Sequence, residues 1–381
     1  MTMVPPVIDP ASPLSLRMAL SVIRRYGPED MRWHYEHGLV LQSIYAAAPA
    51  DGRGEEIRRW VKAMYDTKIS EDGGIAAYRI DEFNLDQINP GKGLFDLYAA
   101  TGEEKYRNAI ETLGDQLRRQ PRTRSGGFWH KLIYPGQMWL DGVYMASPFY
   151  ARYVREYEGG RREDFADVVR QCTLLASKAR DPATGLLYHA WDESRTQRWA
   201  NRETGCSPHF WGRALGWYGM ALVDILDNIE AFEEGRAELL ALAQGLIAPL
   251  LGVQDRESGL WYQVLDQGAR EKNYREASAS AMFVYFLFKM LRKGYVPASE
   301  ADRVKAAALA GHDGLVSRML SQEEASGELH LGGICSVAGL GGAPYRDGSY
   351  TYYVSEPIVT DDFKGVGPFI LASLERERLG W

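Results

Sequence analysis

Cysteine is scarce in this 381-residue chain, with only Cys172, Cys206 and Cys335 present. An odd set of three without metal-like spacing excludes a disulfide framework and reads as reduced thiols. No apolar run is long enough to cross a bilayer, and the proline-rich start lacks the apolar core of an export signal. The expectation is a soluble, cytoplasmic protein without membrane contact, with residues 1–12 as an extended tail. No basic block stands out against a net charge of −7, which argues against a nucleic-acid partner. Gly-x-Ser-x-Gly and phosphate-loop patterns are missing. The glycine-rich stretches at 331–335 and 339–344 lack the strand–turn–helix context of a dinucleotide site. They read as a long loop over a cavity. His34-Tyr35-Glu36-His37 fits neither zincin spacing, and the paired cysteines of a zinc deaminase are absent, so no metal site is expected.

What the chain does have is helical periodicity, with few strand-like alternations. Amphipathic stretches at 13–25, 33–48 and 55–65 come first. Four helical hairpins follow: 89–100 with 103–119, 141–156 with 163–180, 211–231 with 236–252, and 277–293 with 299–320. Pro90 stands in a first turn, where its missing N–H costs little. Thr101-Gly102-Glu103-Glu104 reads as a glycine stop followed by a capping box. The loops repeat too. Asp181-Pro-Ala-Thr-Gly185-Leu-Leu-Tyr188-His189-Ala-Trp-Asp192 aligns without gaps on Asp255-Arg-Glu-Ser-Gly259-Leu-Trp-Tyr262-Gln263-Val-Leu-Asp266, and Ser125-Gly-Gly-Phe-Trp-His130 is a shorter relative. Helical hairpins each followed by a glycine–aromatic loop imply successive units around one axis. Inner helices starting near His34, Asn89, Asp141, Trp211, Arg275 and Gly365 predict an all-α fold, a six-hairpin (α/α)6 barrel forming a single domain over residues 1–381. An open helical solenoid is the alternative.

Gln137-Met138-Trp139-Leu140-Asp141-Gly142 places one carboxyl group at the mouth of an apolar helix. Apolar surroundings disfavour a charged carboxylate, and a general acid must hold its proton. A first-turn aspartate supported by the helix dipole would read the same way. Asp86 also precedes an inner helix, so a barrel sets it on the same rim, where like charges push one pKa upward; a turn aspartate beside Asn84 is the plainer reading. Arg213 and Trp217 share a helix face behind Trp211. They offer a fork for a carboxylate and a platform for a sugar ring, or an ordinary buried arginine among core aromatics. His189 stands where the matching loop has Gln263, and His130-Lys131 is equally open to specialisation or drift. The 22 tyrosines and 10 tryptophans, many near helix ends, suit sugar rings, although core packing accounts for most aromatics.

Several stretches together resemble one family: Asp86-Gln-Ile-Asn-Pro-Gly-Lys-Gly, Gln137-Met-Trp-Leu-Asp141-Gly-Val-Tyr-Met, Phe210-Trp-Gly-Arg213-Ala-Leu-Gly-Trp217, Glu276-Ala-Ser-Ala-Ser-Ala-Met-Phe, Gly339-Leu-Gly-Gly-Ala-Pro and Asp362-Phe-Lys-Gly-Val-Gly-Pro-Phe. They look like the unsaturated rhamnogalacturonyl hydrolases of glycoside hydrolase family 105, with the unsaturated glucuronyl hydrolases as relatives. The resemblance implies an (α/α)6 barrel and an oligosaccharide substrate carrying a 4,5-unsaturated uronic acid at its non-reducing end. It implies pectin breakdown by hydration of the vinyl ether, with no metal or organic cofactor. Asp141 would be the acid and then the base, and Asp86 would position substrate or water and support the raised pKa of Asp141. Arg213, Trp211, Trp217 and His189 would line the uronate pocket, with Lys131 and Trp139 beside them. Three other readings remain: a glucuronyl hydrolase acting on glycosaminoglycan, ulvan or arabinogalactan fragments, an inverting glycosidase using Asp86 and Asp141, and a non-catalytic sugar-binding barrel.

Overall fold

The computed structural model describes residues 7–230 and 232–381. Its helices are α1 (Leu14–Arg25), α2 (Tyr35–Ala47), α3 (Gly52–Asp66), α4 (Lys92–Thr101), α5 (Glu104–Arg119), α6 (Leu140–Tyr157), α7 (Arg162–Ala179), α8 (Gly212–Ile225), α9 (Glu233–Gly252), α10 (Ala277–Arg292), α11 (Ala301–Arg318), α12 (Tyr350–Ser355) and α13 (Phe363–Arg378). Helices α2, α4, α6, α8, α10 and α13 stand side by side in chain order, and α13 packs back against α2, closing the ring. The 3₁₀ turn Asn89–Gly91 leads into α4 and carries its contacts with α2 and α6. The outer layer is α1, α3, α5, α7, α9 and α11. This is the expected (α/α)6 barrel.

Burial follows the layers. In α10 every residue from Ala277 to Met290 is buried, and α8 is buried at all but one position, as inner helices surrounded by protein must be. Outer α5 instead alternates a buried face (Tyr106, Ala109, Ile110, Leu113, Leu117) with arginines and glutamates in water. Strands are confined to three short antiparallel pairs: β1 (Gln137–Trp139) with β2 (Ala190–Asp192), β3 (Leu320–Gln322) with β4 (Leu329–Leu331), and β5 (Ile334–Cys335) with β6 (Ile358–Val359). Among the described residues no helix is long and apolar enough to cross a membrane.

The repeated loops share one conformation. Asp181 N–H donates to Leu186 O and Gly185 N–H to Asp181 O; Asp255 and Gly259 repeat both bonds with Leu260 and Asp255. Both glycines have φ of 74°, the left-handed turn that glycine tolerates without cost. Each loop then returns to the start of its own inner helix. His130 O accepts from Leu85 N, His189 O from Leu140 N, Gln263 O from Gly212 N and Gly333 O from Ala277 N. A helix start has N–H groups without intrahelical partners, and these carbonyls satisfy one in each hairpin.

Four local expectations differ from the structure. The capping box at 101–104 does not form: Thr101 remains the last residue of α4, its hydroxyl donates back to Leu97 O, and α5 starts without a side-chain cap. The helix expected over 211–231 ends at Ile225, where Asn228 N–H turns back to Ile225 O and Asp227 is drawn to Lys289 and Lys293. Ala231 lies outside the described residues. So do residues 1–6 of the expected tail. Its remainder is not extended, because Ile8 is buried, Ser12 N–H closes a turn on Asp9 O and Arg53 binds Val7 O. The glycine-rich run is also less of a free loop than expected, since β5 pairs with β6 and Leu340 packs beside Trp139 and Trp199.

The ring depends on close approach of neighbouring inner helices. A Cβ on Gly38 would lie 2.5 Å from Pro90 Cα and 2.9 Å from Pro90 N, backbone that cannot swing aside. Gly38→Ala is expected to cost about 1–3 kcal/mol by urea denaturation. Gly52→Ala, with nothing within 4 Å of the added Cβ, should stay within about 0.5 kcal/mol of wild type.

Candidate active site

β1 runs straight into α6, so Trp139 is the N-cap residue and Asp141 falls in the first helical turn. The bond from Leu140 N–H to His189 O brings the repeated loop against that turn. Asp141 Oδ2 consequently lies 3.2 Å from His189 Nε2, with the Asp141 side chain 14% exposed and His189 wholly buried. The other ring nitrogen, Nδ1, is 2.8 Å from Tyr353 OH on α12. A hydroxyl that donates to Nδ1 leaves the ring proton on Nε2, near the carboxylate but not aligned for a hydrogen bond to it.

Aromatic rings enclose this pair. Trp139 meets His189 edge-on at 5.4 Å, and Trp211 lies 4.7 Å away, tilted. Trp211 is fixed by its Nε1–H to Gln263 Oε1 (3.0 Å), and Gln263 also donates to Tyr353 O (2.9 Å). The two matching loop positions thus divide the work. His189 faces Asp141, while Gln263 orients Trp211 and Tyr353.

The third loop supplies the opposite wall. His130 lies parallel to Trp139 at 4.7 Å, with Tyr134 also stacked on Trp139 at 4.9 Å. Gly142 permits this, since a Cβ there would sit 2.8 Å from His130 Nδ1. Burial pushes the His130 pKa down to about 4, although Asp86 lies 3.5 Å from its Nε2, so the ring is neutral near pH 7. Asp86 forms its close ion pair with Lys131, Nζ to Oδ2 2.6 Å. Burial raises the Asp86 pKa, but Lys131 first, then His130, outweigh it and hold the carboxyl below its usual range. Asn84 supplies the cap of that turn, leaving the Asp86 carboxylate for Lys131. Asp86 therefore stays ionised instead of sharing a proton across the cavity.

Arg213 and Trp217 lie deeper. Arg213 is 1% exposed, donates to Ser278 Oγ (3.2 Å) and Cys335 O, and sits over the Trp211 ring at 4.9 Å. Both bonds leave from Nη1, while Nε is buried without a partner. Trp217 is packed between Tyr35, edge-on at 6.2 Å, and Tyr144, stacked at 4.8 Å. Asp86, Lys131, Trp139, Asp141 and His189 are thus brought to one rim, with Trp211, Arg213 and Trp217, each 1% exposed, behind it.

Sequence reasoning did not single out Tyr353 or Tyr35. Burial drives the Tyr35 phenol well upward, and Glu36, Asp86, Arg213 and Asp141 all act on it, which sets it among the site's charges. Glu36 is committed to Lys364 at 2.5 Å. Among the described residues no group of three or more His, Cys, Asp or Glu side chains is arranged to hold a metal ion. The arrangement can present one carboxyl group to a ligand beside an aromatic wall while a second carboxylate stays negative.

Residues 17–380 match Glycosyl Hydrolase Family 88. A solved glycoside hydrolase of family 105 from C. acetobutylicum is 44% identical and superposes with a TM-score of 0.91, covering 96% of this chain and all of that one. The unsaturated rhamnogalacturonyl hydrolase YesR of Bacillus subtilis is 29% identical over 306 residues, 78% of this chain and 82% of its own length. The unsaturated glucuronyl hydrolase of Bacillus sp. GL1, at 15% identity and a TM-score of 0.68 over 96% of this chain and 95% of that one, shares the fold.

The Asp86–Lys131 pair has a pH signature. A carboxyl with a depressed folded pKa adds stability that is full above the unfolded value of about 3.9 and is lost as pH falls through the folded value. Lys131→Met should cost about 1–3 kcal/mol at pH 7, with the difference from wild type shrinking as urea denaturation is repeated at falling acidic pH. A difference that is constant with pH would contradict the pair.

Proposed function

The chain belongs to the glycosyl hydrolases of families 88 and 105, and on that premise we propose that it removes a 4,5-unsaturated uronic acid from the non-reducing end of an oligosaccharide. The preferred substrate is an unsaturated rhamnogalacturonan disaccharide, a preference supported by the likeness to YesR. The observation that carries the reading is the Asp141–His189–Tyr353 arrangement on an aromatic rim that also holds Asp86, kept ionised by its pairing with Lys131.

In the proposed reaction Asp141 gives its proton to C4 of the vinyl ether, and positive charge develops at C5 and the ring oxygen. The Asp141 carboxylate then takes a proton from the water that adds to C5. One water is consumed and the carboxyl group is restored. The resulting hemiketal opens to a C5 ketone, and the hemiacetal left at C1 collapses, freeing the shortened saccharide and an aldehyde. One carboxyl group serves both steps, so the spacing of two carboxylates that governs ordinary glycosidases does not constrain this site. Asp86, fixed as an anion by Lys131, orients substrate or water and favours the cationic intermediate electrostatically. His189, held by Tyr353, orients Asp141, and the indole of Trp139, backed by the buried Trp211, forms the wall against which the sugar lies. Arg213 and Trp217 support that wall from behind, with Arg213 stacked on Trp211.

Loss of ultraviolet absorbance from an unsaturated rhamnogalacturonan disaccharide tests the reading. Wild type should consume the absorbance, and Asp141→Asn, with an unchanged circular dichroism spectrum, should lower kcat by about 10²–10⁴-fold. A folded wild type silent on this substrate and active on unsaturated glucuronyl disaccharides would move the assignment to that specificity. Silence on both would overturn it.

A further inference from the structure

Asp86, Asp141, Trp211 and Ser278 lead into or open the inner helices; a cavity of about 330 Å³ lies at the other end of the ring. It is lined from the middle and C-terminal turns of α2, α6, α8, α10 and α13 and from the first turn of α4, which starts late because 3₁₀ turns at 85–91 precede it. All six inner helices contribute to it, so it lies on the barrel axis at the far end from Asp141. Six basic side chains line it, Lys92, Arg152, Arg155, Lys289, Arg292 and Arg378, against three carboxylates, Asp224, Asp227 and Glu375. Most of these cations are already paired. Lys289 binds Asp224 and Asp227, Arg292 and Arg378 bind Glu375, and Arg152 and Arg155 bind Glu156 outside the lining.

Lys92 differs from the rest. It is 5% exposed, its Nζ has no hydrogen-bond partner, and it stands 3.8 Å over the ring of Tyr144, whose hydroxyl is also buried without a partner. An ammonium removed from water must either lose its proton or find an anion. Burial pulls the Lys92 pKa down to about 7, with Asp224 opposing and Lys289 adding to the fall. The last-turn carbonyls of the inner helices face the same end and repel anions, which the arginines at those helix ends offset.

We propose that this axial cavity binds one small oxyanion, phosphate or sulfate in shape, with Lys92 as its buried anchor and Arg155 at its edge. Charge-assisted bonds to the anion would satisfy the Lys92 ammonium. The site is separate from the catalytic rim and owes nothing to the uronic acid.

Calorimetric titration of the intact protein with sodium phosphate, sodium sulfate and sodium acetate at constant ionic strength tests this. One saturable phosphate or sulfate site is expected in wild type, weakened by about tenfold or more in Lys92→Met and unchanged in Lys131→Met. Binding of acetate alone, or no saturable binding of any of the three, would overturn the proposal. So would binding lost in Lys131→Met and kept in Lys92→Met, since the ion would then sit at the catalytic rim. Should Lys92→Met fail to fold, Arg155→Gln, whose side chain is 45% exposed, must weaken phosphate severalfold; unchanged affinity in that variant would equally overturn the site.

Discussion

A hydrogen bond from an N–H at, or in the turn leading into, the start of an inner helix to the loop that ends its own hairpin is the constraint on which the rim depends. It recurs as Leu85 to His130, Leu140 to His189, Gly212 to Gln263 and Ala277 to Gly333. Each is worth about 0.5–1.5 kcal/mol net, and a buried N–H left without it costs about 1–3 kcal/mol. The consequence is geometric as much as energetic. In three of the loops the residue four places after the left-handed glycine, His130, His189 or Gln263, is carried to the mouth of the barrel. A site assembled this way needs few long-range accidents, because repetition brings its side chains together.

The same repetition lets similar positions take different charges. Asp86 lies against Lys131, whose charge keeps its carboxylate ionised, and beside His130, which is neutral near pH 7. Asp141 faces a histidine ring nitrogen, and among the described residues no lysine or arginine forms an ion pair with it. Two carboxyl groups on one rim thereby acquire unlike surroundings, the condition for dividing positioning from proton transfer. Gln263, the counterpart of the two histidines, uses its amide on Trp211 and Tyr353, so the ring behind His189 and the hydroxyl that meets it are fixed from a neighbouring hairpin.

The hairpins are legible in the sequence because their information is local. Period, glycine stops and the gapless loop repeat lie within a few tens of residues, and the (α/α)6 ring follows from counting them. The resemblance of short motifs adds the acid and its neighbours. What escapes is non-local or too short for a pattern. Tyr353 meets His189 across 164 residues from a helix of six. Arg213 Nη1 is held by Cys335 O and Ser278, and β5 has no sequence signal of its own. Tyr35 sits inside a histidine-rich stretch that invites only a metal question, while its place among Asp86, Asp141 and Arg213 depends on the closed ring. At Thr101 the local motif misleads, because a hydroxyl can bond back into its own helix as readily as forward into the next.

The central claim is that the double bond, not the anomeric carbon, is where the enzyme acts. Proton NMR of the product formed in D₂O during the first turnovers addresses it most directly. Hydration led by Asp141 predicts a uronate product with no vinyl proton and a single deuteron at C4. A released uronic acid that keeps its vinyl proton, with no deuterium at C4, would mean direct displacement and would contradict the account.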